Sequence, residues 1–132
     1  MTLVREAMVP EPPALDGSAT AQEAGELLSR DEVRAVFVIT EGRLIGVVTR
    51  KTLVREIVAA GLDPRRAELA AIAEAPWLPI DGETDLGEAF RLLEAHDLDR
   101  VPVIEEGRLV GVLSRAIVQR RLAEDEPPDE ES

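Results

Sequence analysis

The chain has 132 residues, 27 acidic against 15 basic side chains, a formal net charge of −12 and no cysteine. That balance speaks against a basic nucleic-acid footprint. The missing thiols exclude disulfides, thiol catalysis and cysteine-ligated metal. The opening MTLVREAMVPEPP holds no long apolar run, and no stretch approaches the ~20 apolar residues that cross a bilayer. A soluble, cytoplasmic protein with neither a membrane nor a nucleic-acid partner is expected.

In chain order, Thr2 to Met8 reads as a short helical turn, and Pro10, Pro12 and Pro13 then force an extended path. Ala14 to Asp16 is expected as a strand entering a turn at Gly17. Ser18 or Thr20 can cap the next helix, whose buried face is Ala21, Ala24, Leu27 and Leu28. Ala35 to Ile39 is a continuous apolar run typical of a buried strand. Glu41-Gly42 turns the chain back into Arg43–Val48, where Gly46 marks a bulge or the close approach of another backbone or a ligand. Thr49 then caps a helix to about Ala60, with a stripe of Leu53, Val54, Ile57 and Val58, and Gly61 stops it. Asp63-Pro64 has the cap-then-proline order of a further helix reaching nearly to Pro76.

From there the chain repeats. EGRLIGVVTRKTLVREI (41–57) returns as EGRLVGVLSRAIVQRRL (106–122), shifted by 65 residues with 8 of 17 positions identical. Across Leu15–Ile57 and Ile80–Leu122 there are 17 identities in 43 positions. Repeats at fixed spacing decide architecture. Each copy is strand–helix–strand–strand–helix, and Pro64–Glu74 matches Thr2–Met8, so the flanking helix repeats too. At ~60 residues a copy alone is marginal, so a joint module is expected. The expected boundaries are 1–62 for the first unit, 63–122 for the second and 123–132 for a solvated, disordered acidic tail.

These residues resemble a tandem pair of CBS domains, the modules named after cystathionine β-synthase. The likeness rests on Val4-x-x-x-Met8, the helix start Gln22-Glu23-Ala24, Val101-Pro102-Val103, and the pair Gly46-Val47-Val48-Thr49 and Gly111-Val112-Leu113-Ser114, over residues ~3–122. It implies an α/β (α+β) fold of two β-α-β-β-α units related by a pseudo-two-fold axis. It also implies no catalytic activity, clefts that take AMP, ADP, ATP or S-adenosylmethionine, homodimers of pairs, and an unidentified regulated protein. The alternative is a ligand-independent interaction or dimerisation module with degenerate pockets.

Thr49 and Ser114 stand where a strand gives way to a helix, so each hydroxyl can cap the helix and touch a phosphate or ribose beside free amides. Arg50 and Arg115 follow them and can pair with phosphate. The resemblance places Ala35, Val36, Phe37, Gly46 and Val48 in the first copy, and Arg100, Val101 and Pro102 in the second, along the ligand pocket. It gives Thr20 a phosphate contact, where the second copy has Asp85. Three residues after the capping hydroxyl the family often carries a ribose-gripping Asp; here the residues are Thr52, which can give one hydrogen bond, and Ile117. No catalytic set or metal-ligand spacing is found, and His96, the single histidine, sits in a polar turn.

Overall fold

The computed structural model describes residues 1–125; residues 126–132, most of the expected acidic tail, lie outside them. In chain order the elements are α1 (Val4–Ala7), β1 (Val9–Pro10), β2 (Ala14–Asp16), α2 (Ala21–Leu28), β3 (Val36–Thr40), β4 (Arg43–Val48), α3 (Arg50–Leu53), α4 (Leu69–Ile72), β5 (Ile80–Asp81), α5 (Leu86–Ala95), β6 (Arg100–Glu105), β7 (Arg108–Ser114) and α6 (Arg115–Asp125). Residues 123–125 thus continue α6. Two compact units form: a first of residues 11–77 with 106–109, and a second of residues 1–10, 78–105 and those from 110 onward.

In the first unit β2 runs parallel to β3, and β3 and β4 form an antiparallel hairpin whose register slips between Val38 and Ile39. Pairing skips Ile45, which is 43% exposed, so the bulge falls one residue before Gly46. The turn that joins the strands needs left-handed backbone at both Glu41 and Gly42, with φ of 54° and 80°. Helix α2 lays Ala21, Ala24 and Leu28 on a core with Val36, Val38, Val48, Ile57, Leu69 and Ile72. In the second unit β5 runs parallel to β6, and β1 pairs antiparallel with β7. Its core joins Leu86, Ala89 and Leu93 of α5 to Val101, Val103, Leu113, Val118 and Val4 of α1.

The flanking helices show how each unit is completed. Val4 N–H donates to Thr84 O, Arg5 N–H to Gly82 O and Leu86 N–H to Thr2 O at 2.8–3.0 Å. In the first unit Leu69 N–H donates to Ala19 O, Ala70 N–H to Gly17 O and Ala21 N–H to Ala67 O, each at 2.9 Å. Every member of the second set is its counterpart in the first shifted by 65. The 62/63 repeat boundary is therefore not where compactness divides the chain. Residues 64–76 complete the copy that precedes them, and residues 1–10 complete the copy 65 residues farther on.

Two expected helices are shorter than the spacing suggested. Across Pro64–Glu74 only α4 forms. The carbonyls of Pro64 and Ala67 and the amides of Leu69 and Ala70 bond to residues 17–22 instead of to one another. Asp63 closes a separate turn, accepting from Arg66 and Ala67 N–H at its carbonyl. After α3 the chain widens into a π turn over Val54–Val58, with Ala59 N–H donating to Val54 O (2.8 Å) and Leu62 N–H to Ile57 O (3.0 Å). Each extra residue in a turn rotates the succeeding side chains by about 100°. Leu53 and Ile57 stay on the core, while Val54 and Val58 of the expected stripe face solvent at 58% and 73% exposure.

Gly46 explains why a flank can close a unit. Its neighbour Val47 exchanges both backbone hydrogen bonds with Glu74, at 3.0 and 2.9 Å. A Cβ on Gly46 would lie 2.7 Å from Ala73 Cβ and 2.9 Å from Glu74 O. Gly111 plays the same part under Met8 and Val9, where a Cβ would meet Val9 O at 2.9 Å. Ion pairs support the seams: Arg5 reaches Glu105 Oε1 (2.8 Å) and Glu83 Oε1 (3.2 Å), and Arg55 pairs with Glu74. Gly46→Ala is expected to destabilise the chain by about 1–3 kcal/mol through overpacking against a backbone that cannot yield. Gly25→Ala, whose Cβ would meet only Leu53 Cδ1 at 3.7 Å, is expected to stabilise by about 0.5–1 kcal/mol. Denaturant midpoints of the two variants check the pair.

Candidate functional site

Strand β4 ends at Val48, paired in register with Val36, and Thr49 follows with extended backbone (φ −119°, ψ 175°) before α3 begins. This change of direction leaves the first amides of α3 without helical partners, and Thr49 Oγ1 accepts from Thr52 N–H at 3.3 Å. Thr52 answers: its Oγ1 accepts from Thr49 N–H at 3.0 Å and lies 3.1 Å from Thr49 Oγ1. The result is a capping box with Thr in the place usually held by Glu or Gln. Thr52 is fully buried, while Thr49 is half-buried. The hydroxyl expected to offer a ligand one hydrogen bond is thus turned inward onto Thr49.

Arg50 is committed as well. Its guanidinium donates to the carbonyls of Arg30 and Val33, each at 2.9 Å, which ties the loop after α2 to the start of α3. Arg115, its counterpart, lies 3.5 Å from Asp97 Oδ1 and 3.8 Å from Glu94 Oε2, and its backbone N–H donates to Asp99 O at 2.8 Å. In both copies the arginine after the hydroxyl braces the helix-to-strand loop. Lys51 is exposed on α3 beside Thr49.

The other expected residues fall in three groups. Val36, Phe37, Gly46 and Val48 are buried in the first unit, with Ala35 half-buried at the entry to β3. Phe37 lies on the face of β3 opposite Val36 and Val38 and is 2% exposed. In the second unit Val101 and Pro102 are buried, Ser114 is half-buried and Arg100 is exposed at the start of β6. Thr20 is engaged in a second capping box, its Oγ1 accepting from Glu23 N–H at 3.3 Å while Thr20 N–H donates to Glu23 Oε2 at 3.4 Å. Asp85 caps α5 in its place, accepting from Glu88 N–H at 3.2 Å.

The structure therefore gathers Ala35, Val36, Val48, Thr49, Arg50 and Thr52 around one corner of the first unit. It sets Ser114 and Arg115 at the matching corner of the second. Sequence reasoning missed the reciprocal Thr49–Thr52 pair, although a hydroxyl residue three positions after a cap is its signal. His96 is exposed, and among the described residues no group of three or more His, Asp or Glu side chains is arranged to hold a metal ion. No helix of the described residues is long and apolar enough to cross a membrane.

Asp16 ends β2 with its Oδ2 accepting from Ser18 N–H at 2.9 Å and from Ser18 Oγ–H at 2.7 Å. These bonds hold its carboxyl below the ordinary aspartate value. A lowered folded-state pKa contributes stability above the unfolded value, and that stability is lost as pH falls through the folded one. Replacing Thr52 by Val leaves Thr49 N–H unpartnered in a buried corner and is expected to cost about 1–2 kcal/mol, whereas Thr52→Ser retains most of the stability. Thermal unfolding of the two variants is the measurement.

Comparison with known proteins accords with this geometry. The family model described as CBS domain matches twice, at residues 4–59 and 70–124. Hypoxic response protein 1 of Mycobacterium tuberculosis is 30% identical over 125 residues, which cover 94% of this chain and 87% of that protein. The CBS domain-containing protein YhcV of Bacillus subtilis is 24% identical over 114 residues, covering 86% and 81%. Among solved structures, Hypoxic Response Protein I with two coordinated zinc ions superposes with a TM-score of 0.78 at 29% identity, over 92% of this chain and 99% of that one. CBSX2 in complex with AMP shares the fold with a TM-score of 0.75 at 24% identity, covering 94% and 98%. With two matched repeats, a relative at 30% identity and the same mixed α/β architecture, the chain belongs to the CBS-domain family and is a CBS-pair regulatory module.

Proposed function

We propose that this CBS pair senses an adenosine-containing nucleotide, of the class AMP, ADP, ATP or S-adenosylmethionine, and reports it to a separate regulated protein as a homodimer. The observation that supports this reading is the twofold occurrence of a half-buried hydroxyl, Thr49 and Ser114, where a strand ends and a helix begins. Such a corner presents a hydroxyl and backbone amides to an anion. The AMP complex of a protein with the same fold supports the ligand class. The two corners differ. The first has exposed Lys51 beside Thr49; the second has Ala116 there and Ile117 where the family often places its ribose carboxylate.

In this reading neither copy grips the ribose with a carboxylate, so the charge-assisted bonds that carboxylates make are missing and affinity is modest. Contact falls to Thr49, the backbone at Ala35–Phe37 and Lys51, while Arg50, Thr20 and Thr52 serve the scaffold. A second reading, a ligand-independent interaction module, is favoured by the Thr52 hydroxyl being spent on Thr49.

Thermal shift with AMP, ADP, ATP, S-adenosylmethionine and NADH separates the two. A ligand at 100 times its Kd adds about 2.7 kcal/mol of stability. Thr49→Ala is expected to reduce the ligand-induced shift more than Ser114→Ala, each measured against its own apo midpoint so that the lost cap cancels. No shift across the panel favours the second reading, and equal losses in the two variants overturn the ranking of the corners.

A further inference from the structure

The two closing flanks meet their glycines with different atoms. At Gly46 the nearest atom is Ala73 Cβ, 2.7 Å from where a glycine Cβ would stand. In the 65-residue register Met8 takes the place of Ala73. Its Sδ lies 2.6 Å and its Cγ 3.0 Å from the corresponding point on Gly111, with Val9 O at 2.9 Å. A methyl is thus enough to seat a flank on its glycine, and closing the second unit does not require a sulfur. The chain has no cysteine and two methionines. Met1 is 98% exposed, whereas Met8 is half-buried and packs against the core of the second unit.

Met8 stands in the middle of the clasp formed by residues 1–10. Its N–H donates to Val4 O at 3.0 Å and ends α1, and β1 follows at once, with Val9 opposite Val112 and Pro10 opposite Gly111. The polar contacts of the clasp lie at its surface. Arg5 reaches Glu83 and Glu105, and Arg121 Nη1 donates to Glu6 O at 2.9 Å. Exposed ion pairs contribute little, so the clasp depends on its apolar contacts, those of Val4, Ala7 and Met8 with the core.

We propose that Met8 is an oxidative modification site: a peroxide converts its thioether to the sulfoxide, and the sulfoxide releases residues 1–10 from the second unit. The sulfur lone pair attacks one peroxide oxygen, an S–O bond forms and the O–O bond breaks. The other oxygen takes up the proton of the transferred one and leaves as water. Sulfur loses the two electrons that the peroxide gains, so no further reactant is needed. The product is polar and accepts hydrogen bonds. Over Gly111 it lies against apolar core and beside Val9 O, a carbonyl oxygen that has no hydrogen to donate and whose dipole opposes it. A buried acceptor without a donor is costly, and leaving the seam restores water to it. Ala73 offers no sulfur, so the first unit lacks the switch. Nothing in it depends on nucleotide binding, and the strand it uncovers, β7, ends at Ser114.

The test treats the full chain with dilute hydrogen peroxide, locates sulfoxide by mass spectrometry and follows amide hydrogen exchange by NMR. The amides of Val4, Arg5 and Leu86 donate across the clasp, and after oxidation they are expected to exchange at least about tenfold faster. Those of Ala21, Leu69 and Ala70, which donate across the first unit's flank, are expected to keep their rates. Methionine sulfoxide reductases for the two sulfoxide epimers are expected to restore protection. Met8→Leu keeps the apolar volume and is expected to resist the same peroxide even with Met1 oxidised. Met8→Gln, which places a polar group over Gly111, is expected to exchange fast without peroxide. Four outcomes overturn the proposal: Met8 reduced while Met1 is oxidised, a Met8 sulfoxide with unchanged exchange, equal acceleration in Met8→Leu, or wild-type rates in Met8→Gln.

Discussion

Everything in this chain rests on a backbone contact that only glycine permits. Val47 and Glu74 exchange two hydrogen bonds across Gly46, and β1 pairs antiparallel with β7 across Gly111, with Val9 opposite Val112. A three-strand sheet of this size leaves an edge with unpaired amides and carbonyls, which are costly where they are covered from water. Laying a flanking segment over that edge satisfies them, and the approach is close enough that a methyl would collide with a carbonyl oxygen. The cores result from this closure: Leu69 and Ile72 reach the first and Val4 and Ala7 the second only because their backbones are held there. The sharing of the chain between units, with residues 1–10 completing the second, is the topological consequence.

The repeat, the strand and helix order and the family resemblance were legible because they are matters of period and local chemistry. β4 falls on the expected Arg43–Val48, and Thr20, one of the two expected caps, caps α2. The features that sequence did not disclose are set by competition between backbone partners. Pro64–Glu74 has helical spacing, yet the carbonyls of Pro64 and Ala67 find partners in residues 21–22 and the helix shrinks to Leu69–Ile72. The stripe after Thr49 has the apolar period of a buried helix, but a π turn over Val54–Val58 changes which side faces inward. Hydropathy patterns encode neither a partner some tens of residues away nor a single wide turn.

At the candidate site the residue types were readable and their commitments were not. Arg50 and Arg115 carry the charge a phosphate needs, but bracing carbonyls or carboxylates occupy both guanidinium groups. Thr52 has a hydroxyl, and Thr49 uses it. A ligand that recruited any of these would first have to replace an existing hydrogen bond or ion pair, so the net gain from each contact is small. Thr49 differs in kind. Its hydroxyl caps the helix from a residue that is only half-buried, so it lies nearer solvent than the fully buried Thr52. In the proposed sensor reading, selectivity at this corner therefore falls mainly to shape and to the backbone of β3.

Duplication leaves two copies under the same closing constraint but not the same surface. Positions tied to closure have hardly moved apart: Gly17 and Gly82, Gly46 and Gly111, Val36 and Val101, Val38 and Val103 are identical pairs. The differences fall where the sheet does not depend on them. Thr52 stands against Ile117, Lys51 against Ala116, Gly25 against Phe90 and Val54 against Gln119. All four lie on α2, α5 and the helices after the hairpins. In the last three pairs the first copy is the one left with an unspent feature: an added cation, an open groove between α2 and the segment after α3, or an exposed aliphatic. An ordinary core replacement would exchange volume for volume, as buried packing demands. Gly25 against Phe90 exchanges a ring for an opening, and an opening bordered by exposed valines stabilises a lone chain less than a filled one. The first copy carries that cost and the second does not, so the two halves of the module are built for different contacts.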